Sequence, residues 1–295
     1  MSISIRIQAE TCTACGLCGQ VCPNLIMYNA GDSQMALRPD RLPLCIQCGH
    51  CMAVCPTRSI VVDGLSYERD FFPLPNGPVA SLPFAQMITT RRAVRNFKDQ
   101  PVSRELLERV VEAISFAPPS FPPIKTGLVV VQDSAVIRRA LPEMIELYDR
   151  LVRTMHHPVA RLFVRRKVGR ATFRTLKHHV VPLMASRLPE LKEGSEDTIT
   201  RHAPAMLLFH AHRDADNYEA DAHIALTYGL LAAHALGLGA CAIDLIPPAV
   251  EQSPTLRTLF SIPDSNAVVA CMVLGYPRLQ YQCGIKRQLK GVTWI

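Results

Sequence analysis

The sequence has few aromatic side chains and one long run of mostly apolar residues. Only 6% of its 295 residues are aromatic and a single one is Trp, which argues against a surface that stacks bases. The apolar run, residues 222–246, is as long as a membrane span, but two His, three Gly and Asp244 interrupt it. The first residues lack the apolar core of a secretory signal. We therefore expect a cytoplasmic protein with no integral membrane segment.

Cysteine, by contrast, is abundant and clustered. Eight of the eleven cysteines fall in two runs of the pattern C-x2-C-x2-C-x3-C-P, at residues 12–23 and 45–56. Nothing in the sequence points to the oxidising compartment that disulfides need. Structural zinc does not explain a third cysteine three residues further on. Three closely spaced thiolates suit three corners of a [4Fe–4S] cubane, whose fourth ligand comes from elsewhere in the chain.

The duplication of the run predicts two [4Fe–4S] clusters. In the two-cluster arrangement, the fourth cysteine of each run ligates the cluster of the other run. One predicted ligand set is Cys12, Cys15, Cys18 and Cys55. The other is Cys45, Cys48, Cys51 and Cys22. Residues 1–62 resemble a bacterial two-cluster ferredoxin module, with short outer strands expected at 2–7 and 59–62.

The rest of the chain predicts a larger domain of the α+β class. Residues 63–83 contain four prolines and two glycines, which predicts a linker, and the second domain is expected at 84–295. In this domain, hydrophobic periodicity predicts helices at 84–90, 104–116 and 218–236, and buried strands at 128–131, 205–210, 240–246 and 267–274. Ser103 is expected to cap the helix that begins at Arg104. We expect the helices to cover a mainly antiparallel sheet.

A basic motif opens this second domain. The stretch RRAVR holds Arg91, Arg92 and Arg95 within five residues. Guanidinium groups this close repel each other unless an anion joins them, and arginine suits phosphate. A solvated basic turn explains the composition equally well. The glycines of ALGLGA, residues 235–240, follow a helix and precede a strand, which is the reverse of a dinucleotide-binding loop and predicts no nicotinamide site.

The order of these segments resembles the FMN-dependent nitroreductase family. RRAVR, HAPAMLLFHA, ALGLGACAI, VLGYP and a basic C-terminal tail follow one another as in that family, over about residues 84–295. The resemblance implies an FMN cofactor and a homodimer. Flavin contacts are implied for the residues that match the family's R-R-S-x-R motif: Arg91, Arg92, Ala93 and Arg95. They are also implied for the strand after the GLG segment and for one arginine of the tail: Ala242, Ile243, Asp244 and Arg287.

One loop departs from the family's pattern. Residues 117–125 are APPSFPPIK, where the family usually has A-P-[ST]-x-x-N-x-Q-P, so Pro122 and Ile124 replace a polar pair. The departure predicts a more apolar pocket and makes typical nitroaromatic substrates less expected.

Together, the two halves predict an iron–sulfur flavoprotein oxidoreductase. A low-potential donor such as ferredoxin or flavodoxin would pass electrons through two [4Fe–4S] clusters to FMN. The flavin would then reduce a nitro, enone or similar electron-poor small molecule, and the chain itself would supply no catalytic nucleophile or base. The alternative is a redox sensor or electron carrier without substrate turnover.

Positive charge is concentrated in one segment of the second domain. The net charge is +7, and residues 138–187 hold twelve Lys or Arg against three Asp or Glu. This basic segment is compatible with a solvated helical face, a docking surface for an acidic donor, a site for an anionic substrate or a contact with a membrane surface. Few aromatic residues are interleaved with its charges, so we expect no nucleic-acid partner.

Overall fold

The computed structural model describes residues 4–31, 34–74, 83–118, 126–287 and 289–295. The chain forms two compact units, of which the first comprises Met1–Arg91 and Leu279–Ile295 and the second comprises Arg92–Arg278. This division differs from the domain limits expected from the sequence, because residues 84–91 and the C-terminal tail belong to the first unit. Most of the divergent loop lies outside the described residues, including Pro122 and Ile124.

The first unit is built from three-residue strands and short helices. Strand β1 (Ile5–Ile7) pairs antiparallel with β4 (Ile60–Val62), as predicted for the outer strands. The other antiparallel pairs are β2 (Met27–Asn29) with β3 (Met35–Leu37) and β5 (Phe71–Pro73) with β10 (Cys283–Ile285). The helices are α1 (Leu17–Val21), α2 (His50–Val54), α3 (Tyr67–Asp70) and α4 (Phe84–Thr90), with a 3₁₀ turn at Pro39–Leu44.

The core of the first unit combines the cysteine runs with the C-terminal tail. Ile26, Met52 and Ile60 are almost fully buried. They pack in one cluster with the third and fourth cysteines of both runs. Cys283 and Ile285 of β10 are buried in the same cluster. The tail is therefore part of the first unit because its apolar side chains complete this unit's core.

The second unit contains a four-stranded antiparallel sheet in the order β6-β7-β9-β8. The strands are β6 (Gly127–Val131), β7 (Ala205–His212), β8 (Gly239–Ala242) and β9 (Asn266–Gly275). All four lie where the apolar runs predicted them. Strand β8 ends four residues earlier than expected, because a helix with prolines in its first turn begins at Ile246.

Helices cover both faces of this sheet, which confirms the α+β class. They are α5 (Arg104–Ser115), α6 (Ser134–His156), α7 (Pro158–Thr175), α8 (Val181–Glu193), α9 (Tyr218–Ala235), α10 (Ile246–Gln252) and α11 (Pro254–Leu259). Alternate residues along β7 point to opposite faces. Leu207 and Phe209 pack with α5 and α9, whereas Met206 and Leu208 pack with α6, α8 and α10.

A serine side chain caps the N-terminus of α5. The Ser103 Oγ accepts a hydrogen bond from the Leu106 N–H at 3.3 Å, which confirms the expected cap of α5. The basic segment is helical except at His157, where the backbone is extended, and at Gly169, where it has φ 79° and breaks α7; α7 contains no buried residue. Within the described residues, no helix is long and apolar enough to cross a membrane.

Candidate functional site

The two cysteine runs of the first unit repeat the same backbone conformation. Two residues after the first cysteine of each run, the backbone conformation is left-handed, at Ala14 (φ 51°) and at Gln47 (φ 48°). Two residues later, Gly16 and Gly49 both have φ 75° and precede α1 and α2. A left-handed conformation is unfavourable for a residue with a Cβ, so its recurrence shows that the fold around each run imposes it.

The structure brings the eight predicted ligands together in two sets of four. One cavity is lined by Cys12, Cys15, Cys18 and Cys55. A second cavity is lined by Cys22, Cys45, Cys48 and Cys51. Helices α1 and α2 pack against each other, and the fourth cysteine of each run stands directly after its helix. Each fourth cysteine therefore lies with the first three of the other run, in the sets that the spacing predicts.

The raised pKa values of these thiols fit sites that hold a positively charged cluster core. Burial raises the pKa of the Cys18 thiol to about 12 despite a hydrogen bond with the Gly19 backbone, and negative charge on Cys55 adds to the rise. Burial and negative charge on Cys48 raise the pKa of Cys51 in the same way. Because iron binds the thiolate form, these sets become fully ionised only when positive charge compensates them.

The two fourth cysteines also accept matching hydrogen bonds from the backbone. The Ile26 N–H donates to Cys22 Sγ at 3.4 Å, and the Ser59 N–H donates to Cys55 Sγ at 3.2 Å. Both donors stand four residues after the cysteine. Hydrogen bonds to cluster sulfurs stabilise negative charge there and raise the reduction potential.

Neither set is arranged like the ligands of a single ion. In the part of the chain that the structure describes, no three or more His, Cys, Asp or Glu side chains converge on a position for one metal ion. A cubane takes one cysteine at each of its four irons, so its ligands surround a larger object.

In the second unit, the arginine motif lies along the free edge of β8. Ala93 forms a parallel bridge with Ala240, and the Val94 N–H donates to the Ala240 carbonyl at 3.0 Å. A Cβ at Gly239 would lie 2.6 Å from Val94 Cγ1, so glycine permits this close approach. The motif and the strand that the resemblance places beside a flavin therefore lie next to each other. Arg91, by contrast, ends α4 in the first unit.

The three residues that follow Cys241 present alternate side chains to the outside. Ala242 and Asp244 are exposed, whereas Ile243 is buried in the core. In this segment the side chains of Ala242 and Asp244 are therefore the accessible ones.

Arg201 is a site residue that the sequence did not reveal. Burial, together with the positive charge of Arg95, lowers its pKa to about 10, while Asp197 acts in the opposite direction. The two guanidinium groups are therefore close enough to repel each other. Arg201 is also left-handed, with φ 62°. Its position just before β7 follows no periodic pattern, so no sequence signal marked it.

A buried carboxylate fixes the turn that carries Arg201. Asp197 is 4% exposed, and its Oδ1 accepts the N–H groups of Ile199 at 3.0 Å and Thr200 at 2.7 Å. Its Oδ2 accepts the His202 N–H at 2.9 Å and the Thr200 hydroxyl. These bonds pin the residues on both sides of Arg201, which holds its strained backbone in place.

We expect Asp197→Ala to destabilise the protein by about 3–5 kcal/mol, because several buried donors lose a charged acceptor at once. Urea unfolding monitored by circular dichroism measures the loss. Asp214→Ala is the control, since that side chain is 91% exposed and its replacement should change the free energy of unfolding by less than about 0.5 kcal/mol. Equal stability of the two variants would contradict the structural role of Asp197.

A cavity of about 610 Å³ adjoins the segment after Ile243. Its lining is mostly aliphatic and comes from α6, α7, the π-helical turn Leu176–Val180 and the segment at Asp244 and Leu245. Arg150 and Lys167 add positive charge to the lining. The Tyr148 hydroxyl donates to the Leu245 carbonyl at 2.6 Å, and burial raises its pKa, so it remains a donor that anchors this wall.

Arg287 lies in the first unit. Its Nη2 donates to the Cys48 carbonyl at 2.8 Å, and the neighbouring Lys286 N–H donates to the Asp70 carbonyl at 2.6 Å. The contact of Arg287 that the structure describes is thus with a cysteine run. Its assignment to FMN stays a prediction.

The sequence profile of the nitroreductase family matches residues 88–276. The chain belongs to the nitroreductase family. A second profile, that of the 4Fe-4S dicluster domain, matches residues 11–60. Both matches confirm the interpretation of the chain as a ferredoxin-type module joined to a nitroreductase domain.

Individual relatives are distant. The chain is 24% identical, over 202 residues, to a protein of Methanothermobacter thermautotrophicus described as an NADH dehydrogenase/NAD(P)H nitroreductase, covering 68% of this chain and 81% of the relative. Among solved structures it is similar to a nitroreductase with bound FMN from Bacteroides fragilis, at 18% identity and a TM-score of 0.48, over 73% of this chain and 100% of that chain. It is also similar to an FMN-dependent nitroreductase from Clostridium difficile, at 16% identity and a TM-score of 0.49, over 72% of this chain and 98% of that chain.

Proposed function

We propose that this protein is an iron–sulfur flavoprotein oxidoreductase. It would accept electrons from a low-potential donor, pass them through two [4Fe–4S] clusters and FMN, and reduce an electron-poor small molecule such as a nitro compound or an enone. The observation that carries the proposal is the presence of two four-cysteine cavities in the same chain as a nitroreductase domain. Two one-electron carriers match the two electrons that a flavin delivers as a hydride.

The cysteines of the two cavities would hold the clusters as four thiolates each. The backbone N–H groups of Ile26 and Ser59 would continue to donate to Cys22 and Cys55, and so stabilise the ligands. The left-handed glycines at the start of α1 and α2 would keep the first cysteines of each run curved around the cluster.

The residues at the edge of β8 fit FMN. Arg95 and Arg201 repel each other as they stand, and an anionic group of the cofactor would offset both charges. The Ala93 side chain offers no hydroxyl, so hydrogen bonds here would come from backbone groups. The backbone of Ala242, Ile243 and Asp244 would line the flavin, as the resemblance implies. The chain would bind and orient FMN, and FMN would supply the hydride chemistry.

The cavity beside Leu245 would take the substrate. Its aliphatic walls favour an apolar body and exclude water from the reacting face. Arg150 and Lys167 would favour an anionic substituent at the rim.

We further propose that the protein is a homodimer and that the exposed basic face of α7 receives an acidic donor such as ferredoxin or flavodoxin. Charge attraction of this kind accelerates association and weakens with salt. Reduction of the clusters by such a donor should therefore slow markedly as salt rises from about 0.05 to about 0.5 M in stopped-flow experiments.

Transient kinetics test the proposed reaction. The protein, reduced under argon with a stoichiometric amount of dithionite, is mixed with 4-nitrobenzoate or 2-cyclohexen-1-one. We expect the flavin and cluster absorbance to reoxidise together, with product formed in proportion to the electrons lost. Reoxidation by a redox protein alone, with neither small molecule consumed, would instead identify an electron carrier.

A further inference from the structure

The C-terminal tail breaks the internal symmetry of the first unit. The two cysteine runs match in spacing and in backbone conformation, so the sequence predicts two equivalent clusters. The tail segment, residues 281–287, packs against one of the two matching helices. These contacts are with α2 and the second run.

Three contacts join the tail segment to the second run. The Gln282 N–H donates to the Ala53 carbonyl at 3.0 Å, and the Tyr281 ring lies edge-on to His50 at 5.3 Å between centroids. Arg287 Nη2 donates to the carbonyl of the ligand Cys48 at 2.8 Å. The pairing of β10 with β5 fixes this segment, and a Cβ at Gly284 would collide with the Phe72 ring.

The burial of the two helices reflects this difference. All five residues of α2 are buried. In α1, Gln20, which corresponds to Ala53, is exposed, and Leu17, which corresponds to His50, is half-buried. Cys15 is exposed, whereas its counterpart Cys48 is half-buried. At these positions the second run is thus more buried than the first, and a guanidinium group donates to the carbonyl of one of its cysteines.

We propose that the tail segment makes the two clusters inequivalent, with Arg287 raising the reduction potential of the one held by Cys22, Cys45, Cys48 and Cys51. Reduction adds one electron, and therefore one negative charge, to a cubane. A positive charge beside a ligand stabilises that reduced form, and a donor to the ligand's backbone acts in the same direction. This inference rests on the two-cluster assignment proposed above.

The test is a redox titration of the holoprotein followed by electron paramagnetic resonance. Arg287→Gln removes the charge and the guanidinium donor, and Lys290→Gln is the matched control because it removes the same charge three residues away. Reference variants Cys15→Ser and Cys48→Ser identify which signal belongs to which cluster, since each alters a ligand of one cluster only.

In Arg287→Gln, we expect the ratio of reduced to oxidised second cluster at a fixed potential to fall about two- to tenfold, where tenfold corresponds to about 59 mV for one electron. The first cluster should titrate as in the control. Equal shifts in both clusters, shifts no larger than in Lys290→Gln, or a loss of FMN with both potentials unchanged would each overturn the proposal.

Iron content separates this inference from the proposed function. About eight irons per chain with unmoved potentials would refute the role of Arg287 alone, whereas about four would refute the two-cluster assignment itself. A chelator provides an independent measurement on the unmutated protein. We expect the cluster beside Cys15 to lose iron first, and release in the reverse order would contradict the covering role of the tail segment.

Discussion

Replacing Cys22 by Ala should remove the cluster bound by the second cysteine run and leave the cluster bound by the run in which Cys22 itself stands. Cys22 lines one cavity with Cys45, Cys48 and Cys51. A cubane that loses one of four thiolate ligands is exposed to solvent at one iron, so its assembly or retention should fail. We expect iron and acid-labile sulfide to fall from about eight to about four per chain.

The reciprocal variant makes this prediction sharper. Cys55→Ala should remove the cluster of the first run and spare that of the second, because Cys55 lines the other cavity. Cys241→Ala, at a buried cysteine of the second unit, is the control and should retain both clusters. If Cys22→Ala removed the first run's cluster instead, the exchange of fourth cysteines would be incorrect and each run would hold its own cluster.

Arg95→Ala should weaken FMN binding by about 1.5–3 kcal/mol, which is a loss of about tenfold to 150-fold in affinity. The expected magnitude is that of a hydrogen bond to a charged group. The same change should alter the stability of the FMN-free protein by less than about 1 kcal/mol, because the repulsion from Arg201 is lost together with the 3.4 Å hydrogen bond from Arg95 Nη1 to the Ala93 carbonyl. If Arg95 served the fold and not the cofactor, the FMN-free protein would lose clearly more stability and the FMN affinity would not change.

Calorimetric titration with FMN and thermal unfolding with and without FMN measure these two effects. Arg104→Ala is the control, since this arginine forms an exposed pair with Glu108 one turn along α5 and such pairs contribute little. A stability loss in the FMN-free Arg95→Ala protein, with unchanged FMN affinity, would assign Arg95 to the fold and not to the cofactor.

The sequence predicted those features that depend on residues close together in the chain. The cysteine sets followed from spacing alone, because a cubane demands closely spaced thiolates and a distant fourth ligand. The four strands of the second unit followed from apolar runs, and α5 followed from its apolar face and Ser103. In each case the determining residues are neighbours in the sequence.

The features that the sequence did not reveal depend on contacts between distant residues. The pairing of β5 with β10 joins residues more than two hundred positions apart, and each strand has three residues, too few for a recognisable period. Arg201 owes its environment to the hydrogen bonds of Asp197 and to Arg95. The position of Arg287 beside Cys48 follows from that strand pairing.

The cofactor content of anaerobically purified protein tests the central claim most directly. Two cubanes and one flavin predict about eight irons, eight sulfides and one FMN per chain, which together accept about four electrons in a reductive titration. Iron and sulfide without FMN would contradict the account, because the chain would then hold electron carriers but no group that delivers a hydride to a substrate.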